Sequence, residues 1–342
     1  MRFVSVFVLV ALFLISSASK ADGQERYALR LVQTIPMPDV KGRLDHMDVD
    51  AKGKRLFVVG LENGSLEVID LNGGKRSKSV PGFKKPQGIA YVASLNKVFV
   101  ASGDDGMVRV FRGDTLELID SIQLELGPNR IVYDPNTKLV FVGYGGKDAG
   151  KDYGEVGIID ANTDKHVDDI KVEAHPSDLL LNKSGKTLFV FVSSASKVQV
   201  IDTTKRKVIS AWPVSSQRNG VGAFDEKTQR LFIGTRNPAT MIVMDSNRGK
   251  EVANLTAVEG MDGVYFNGAQ KRVYVSGGRD KDSGYVFVYQ QTDADHYETI
   301  SKIPTKPGSG TSFWSPELNR FYVGAPATEN EEAAILVFEP QR

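Results

Sequence analysis

Cysteine is absent from all 342 residues. That removes disulfides, thiolate nucleophiles, cysteine-ligated zinc, haem attachment through C-x-x-C-H and lipid attachment at an N-terminal cysteine. An excess of either charge is lacking too, with 43 Lys and Arg facing 42 Asp and Glu. Such a balance gives no global pull toward nucleic acid or anionic membrane. Histidine occurs four times, and no two histidines share a local metal-binding spacing such as H-x-x-x-H. No G-x-S-x-G elbow is present, and the WD40 dipeptides are missing. Beyond the first 21 residues no apolar run approaches a membrane-spanning length.

The one long apolar run, Phe3 to Ile15, follows Arg2 and precedes small residues suited to cleavage after Ala18 or Ala21. Residues 1–21 therefore read as a secretory signal peptide, the run being too short for a membrane span, with a retained anchor as the alternative. Its removal takes away Arg2 and Lys20 and no acid, leaving 41 basic against 42 acidic residues, a net charge of −1. Export without disulfides suits a chain whose core is large enough to hold the fold unaided. The Gram-negative periplasm or the extracellular space is the expected location, and residues 22–342 are expected to form a single, monomeric domain.

One short pattern returns along that length: "KRLFV" around Phe57, "NKVFV" around Phe99, "KLVFV" around Phe141, "KTLFV" around Phe189, "QRLFI" around Phe232, "KRVYV" around Tyr274 and "NRFYV" around Tyr322. Its spacings are 42, 42, 48, 43, 42 and 48, which makes seven units with two insertions of about six residues. Each anchor follows a turn such as "DPNTK" or "NKSGK" and precedes a second β-rich segment such as "LEVID", "VGIID" or "VQVID". Their β-branched and aromatic content, bounded by Gly, Asn and Asp, favours strands over helices.

Four strands per unit of this length is the blade of a β-propeller. The expected fold is all-β, with seven blades of four antiparallel strands. The last unit ends after its third strand, whereas "YALRLVQTIPMP", residues 27–38, is a spare strand before the first anchor. The N-terminal strand is thus expected to complete the last blade and protect its edge.

The blocks "KRLFVVGLENGSLEVID" and "KTLFVFVSSASKVQVID" resemble the YVTN-type β-propeller repeat family, and the chain is similar to exported proteins of the YncE-like group over roughly Tyr27 to Arg342. The resemblance implies a binding platform more than an enzyme, since one fold hosts many functions. Nucleic-acid binding is associated with some members of that group. The residues here argue against it: there is no basic stripe or stacking platform, and the single basic cluster, Gly73 to Lys85, reads as an outer edge strand.

In such a ring, residues just before each inner strand converge on one channel mouth. Counting back 11 and 12 residues from the anchors gives Asp45 and His46, Gln87 and Gly88, Asn129 and Arg130, Ser177 and Asp178, Gly220 and Val221, Asp262 and Gly263, and Gly310 and Thr311. Arg43, Lys85, His175 and Arg218 lie a few residues further upstream. The loops "GTRNPAT", with Arg236, and the insertions at 143–155 and 276–285, the latter with Arg279, would form the rim. Both signs of charge are offered, which suits a small polar or anionic ligand, or a protein partner.

No cofactor is required by this reading, although Asp45, His46, Asp178, Asp262 and His175 could place nitrogen and oxygen ligands on a divalent cation. A metal-dependent hydrolase is the alternative function, because six-bladed lactonases are similar in general architecture and hold calcium with Glu, Asn and Asp. Here no glutamate occupies the mouth positions. A Ser177, His175, Asp178 triad is disfavoured because neighbours along a strand point apart. His166 and His296 fall at turns on the opposite face, and Trp212 and Trp314 are expected to pack between blades.

Overall fold

A tight turn introduces every anchor strand, and its chemistry is local. Lys54, Asn96, Lys138, Gln229, Lys271 and Asn319, each three residues before its anchor, take positive φ, and Gly185 does so in the remaining blade. Where the first strand ends in Asp, the carboxylate closes the turn. Asp134 accepts from the Asn136 amide at 3.0 Å, and Asp225 from the Lys227 amide at 3.0 Å. Short polar side chains that capture nearby amides reverse the chain at these places.

The computed structural model describes residues 27–278 and 283–342. They hold 28 strands, numbered β1 to β28 in chain order, in seven four-stranded antiparallel sheets. Blade 1 runs outward from the axis through β2 (Leu44–Asp50), β3 (Arg55–Gly60), β4 (Ser65–Asp70) and β5 (Lys75–Pro81). The inner strands of blades 2 to 7 are β6 (Pro86–Val92), β10 (Ile131–Asp134), β14 (Asp178–Leu181), β18 (Val221–Asp225), β22 (Gly263–Asn267) and β26 (Ser312–Ser315). Each lies beside the next, and β26 lies beside β2, so the circle is complete.

Closure follows the expected route. β1 (Leu29–Met37) pairs antiparallel with β28 (Ala333–Pro340), from Leu29 opposite Pro340 to Met37 opposite Ala333. The outermost strand of blade 7 is therefore the first strand of the chain. The signal-peptide reading, residues 1–21, and Arg279 lie outside the described residues.

All seven anchors are buried, and they pack between blades. Phe57 shares a cluster with Ile89 and Phe111 of blade 2, and Tyr322 shares one with Met47 and Ile69 of blade 1. Burial of such a side chain contributes about 1.5 to 3 kcal/mol. Trp314 packs edge-on against Tyr274 in the same kind of seam, and Trp212 packs on Phe189.

Every outer strand carries a one-residue bulge at the same rung. The residues skipped in the pairing are Val32, Ser77, Ile119, Val167, Ile209, Val252 and Ile300. Several are exposed, Ile209 at 53%. Bulges at sheet borders break the ladder and strengthen local twist. No helix among the described residues is long and apolar enough to cross a membrane.

Candidate functional site

The inner strands begin at one level around the axis, and that level is where the repeat stops repeating. A cavity of about 170 Å³ opens there. Of the residues expected at the mouth, Asp45, His46, Gln87, Asn129, Arg236 and Asp262 line it, together with Arg43, Ser177, Gly220 and Val221. A larger, open groove of about 360 Å³ lies between residues 39–41 and the acidic loop 327–333, but it gathers none of the predicted residues.

Charges of alternating sign cross one side of the cavity. Arg43 Nη2 donates to Asp45 Oδ2 at 2.7 Å, and its other terminal nitrogen lies 3.7 Å from Asp262 Oδ2. Arg236 donates to Asp262 Oδ1 and, through Nε, to the Met261 carbonyl at 2.8 Å. Thr311 Oγ1 reaches the Leu44 carbonyl at 3.1 Å, which ties blade 7 to blade 1 beneath them. The other side, from blades 2 to 4, is neutral: Gln87, Asn129, Ser177 and Ser193.

Arg130 and Asp178 lie below this lining. From blade 3, Arg130 Nη1 meets His46 Nδ1 of blade 1 at 3.0 Å, and its Nε lies 3.1 Å from Asp178 Oδ1 of blade 4. The second contact is charge on charge, because Nε is not aligned for a hydrogen bond. Blades 1 and 4 stand nearly opposite in a ring of seven, so this guanidinium links two sides of the channel. Asp178 is also tied to blade 5 by the Gly222 amide at 3.1 Å. Asp48 does the same between blades 1 and 2, accepting from the Tyr91 amide at 2.7 Å.

Burial governs the protonation of these groups. Asp45 is pushed up to about 7 chiefly by loss of water, which outweighs the opposing Arg43 guanidinium, and Asp262 adds to the rise. Burial likewise raises Asp48 to about 6 and lifts Asp178. His46 is held well below its ordinary value by burial first, then by Arg130 and Arg43.

Two expected members stand apart from the cavity. His175 Nδ1 donates to the Gly145 carbonyl at 2.9 Å and so braces the first inserted loop. Arg218 is exposed at a positive-φ turn ahead of β18. Conversely, Ser193, Asp48 and Tyr265 were not foreseen. Asp48 carried a signal, an acid inside the inner strand "LDHMDVD"; Ser193 and Tyr265 carried none, since their place depends on how blades face one another. Tyr265 donates to the Ser312 carbonyl at 2.7 Å.

Among the described residues no group of three or more His, Cys, Asp or Glu side chains is arranged to hold a metal ion. Asp45, Asp178 and Asp262 are each engaged by an arginine instead.

No family model matches the chain, and no curated protein matches it. Solved structures do. A hydrazine synthase chain from Kuenenia stuttgartiensis superposes with a TM-score of 0.71 at 16% identity, covering 87% of this chain and 97% of that one. A chain of the mitotic checkpoint complex superposes with a TM-score of 0.75 at 12% identity, covering 99% and 98%. The shared feature is the propeller. Identities this low carry the fold alone, so the site must be read from its own residues.

Proposed function

We propose that this chain is an exported binding propeller, similar to the YncE-like group, that captures a small polar or anionic ligand, or a polar group of a protein partner, in the cup at its channel mouth. The observation that carries the reading is the contrast within the repeat. Anchor positions are Phe or Tyr in all seven blades, whereas the mouth pairs differ from blade to blade, and those of blades 1 to 6 contribute residues to one cavity holding both signs of charge. Fixed polar groups on a rigid scaffold select a ligand by orientation.

The pairing of each mouth aspartate with arginine supports binding over metal-dependent hydrolysis, because a carboxylate already neutralised by a guanidinium is a poorer cation ligand. Screening a polar metabolite library by thermal shift, against the mature protein and its Asp262→Asn and Arg236→Gln variants, tests the reading. A ligand that stabilises the parent and loses affinity in both variants supports it. Ligands that bind both variants as tightly as the parent would remove the mouth from consideration. Elemental mass spectrometry before and after chelation addresses the hydrolase, which requires stoichiometric metal.

A further inference from the structure

We infer that Arg130 is a positioning residue: by spanning the channel it fixes His46 as the tautomer that carries its proton on Nε2, so that the mouth presents an N–H donor to an acceptor oxygen of the ligand. The argument begins with valence. A guanidinium has donors only, so the nitrogen it meets must supply a lone pair. Arg130 Nη1 lies 3.0 Å from His46 Nδ1. The proton of the neutral ring therefore sits on Nε2.

A competing arrangement is visible in the same place. Asp45 Oδ1 lies 3.9 Å from His46 Nδ1, and a proton on that nitrogen would turn toward it. Arg130 is closer, and Asp45 is already held by Arg43 at 2.7 Å. Asp178, 3.1 Å from Arg130 Nε, anchors the far end of the guanidinium in blade 4. The other charged or ionisable groups bearing on this cluster are Asp48, Tyr265 and Asp262, and Arg43 together with Arg130 disfavours imidazolium.

His175 provides an opposite case within the molecule. Its Nδ1 faces the Gly145 carbonyl at 2.9 Å, and a carbonyl only accepts. The ring of His175 therefore keeps its proton on Nδ1 whenever it is neutral. Two histidines of one propeller face are thus set in opposite tautomers, one by an arginine and one by a backbone oxygen.

The ligand consequence rests on the mouth being the binding site; the tautomer does not. At the cavity the His46 N–H joins the guanidinium groups of Arg43 and Arg236 and the side-chain amides of Gln87 and Asn129, a set of donors that matches a carboxylate or carbonyl oxygen.

Nitrogen-15 NMR of the histidine rings in the full mature protein, without any ligand, tests the assignment, and only four histidines need to be sorted, with His46→Gln identifying the signal. In the parent, His46 should show an unprotonated Nδ1 and a protonated Nε2 from about pH 5 to about pH 8. The charge-balanced Arg130→Met, Asp178→Asn double variant avoids stranding a buried aspartate. In it, His46 should change tautomer or take up a second proton at the acid end while His175 stays as it was. A parent His46 protonated on Nδ1, or a pattern identical in parent and double variant, would overturn the inference. If the double variant fails to fold, Arg130→Lys serves, with a shifted Nδ1 resonance expected and an unchanged one counting against the role. Ligands that bind the mouth variants as tightly as the parent would overturn the binding reading and leave this assignment intact, whereas a failed tautomer assignment would leave the binding reading standing.

Discussion

The seams between blades and the mouth above them are built from the same seven units by opposite rules. In the seams, position and chemistry repeat together: Phe57, Phe99, Phe141, Phe189, Phe232, Tyr274 and Tyr322 are all buried between neighbouring sheets. At the mouth position repeats and chemistry does not, so a ring with near sevenfold regularity carries charged pairs on blades 1, 5 and 6 and amides and hydroxyls on blades 2 to 4. Regularity builds the scaffold, and departures from it at one level gather the charged and polar groups on which the proposed binding site rests.

The strongest break in that contrast is removal of the closing strand. Deleting residues 27–36 strips β28 of its β1 partner and exposes that edge, and the truncated protein should lose its cooperative thermal transition by circular dichroism. Phe141→Ala, within one seam, should cost about 3 to 5 kcal/mol in urea unfolding. Gln87→Ala, at the mouth, should stay within about 0.5 kcal/mol. Comparable losses in the two would erase the distinction between seam and mouth.

Asp178 belongs to both layers, since it ties blade 4 to the Gly222 amide and compensates Arg130. Asp178→Ala should cost about 3 kcal/mol, because it strands a largely buried guanidinium. Asp178→Asn, which keeps an acceptor, should cost less in the same denaturant titration.

Acidity sharpens the comparison further. Asp45 titrates in the fold at about 7, whereas an unfolded carboxyl does so at about 4. Between those values the folded protein binds the extra proton. Stability from this group is therefore fully present below about pH 4 and declines toward about pH 7. His46 works against it: a histidine kept unprotonated in the fold loses stability as the pH falls below its unfolded value of about 6.5. In Asp45→Asn the decline should flatten when melting temperature is followed across that range. An unchanged profile would mean that the mouth does not hold this proton.

A small expected effect on folding accompanies the largest on binding. Asp262→Asn should leave the melting temperature within a few degrees and weaken ligand capture, read by thermal shift with whichever polar ligand the screen yields.

How much of this was legible in the sequence follows from the same division. The anchors, their spacings and the spare strand at residues 27–38 specify blade number and closure, because each is a short-range pattern repeated until it is unambiguous. The level of the mouth was legible as well, by counting back from anchors, and it placed Asp45, His46, Gln87, Asn129 and Asp262. What counting could not supply was depth and partnership. Arg130 and Asp178 sit at the expected register yet point below the lining, and His175 turns to the Gly145 carbonyl. Those outcomes depend on groups meeting between separate blades, 30 residues apart for His175 and Gly145 and 84 for His46 and Arg130. No local pattern records such a meeting.

The bulge shared by all seven outer strands bears on how these molecules behave in a crowd. Growth of one sheet from another needs an unbroken row of free amides and carbonyls along the border, and here each row is interrupted at the same rung, beside a side chain such as Ile209 or Val167 standing into solvent. Two wheels pressed rim to rim therefore meet mismatched teeth. A protein built almost entirely of strands can then be concentrated without its blades being read as templates for more of the same.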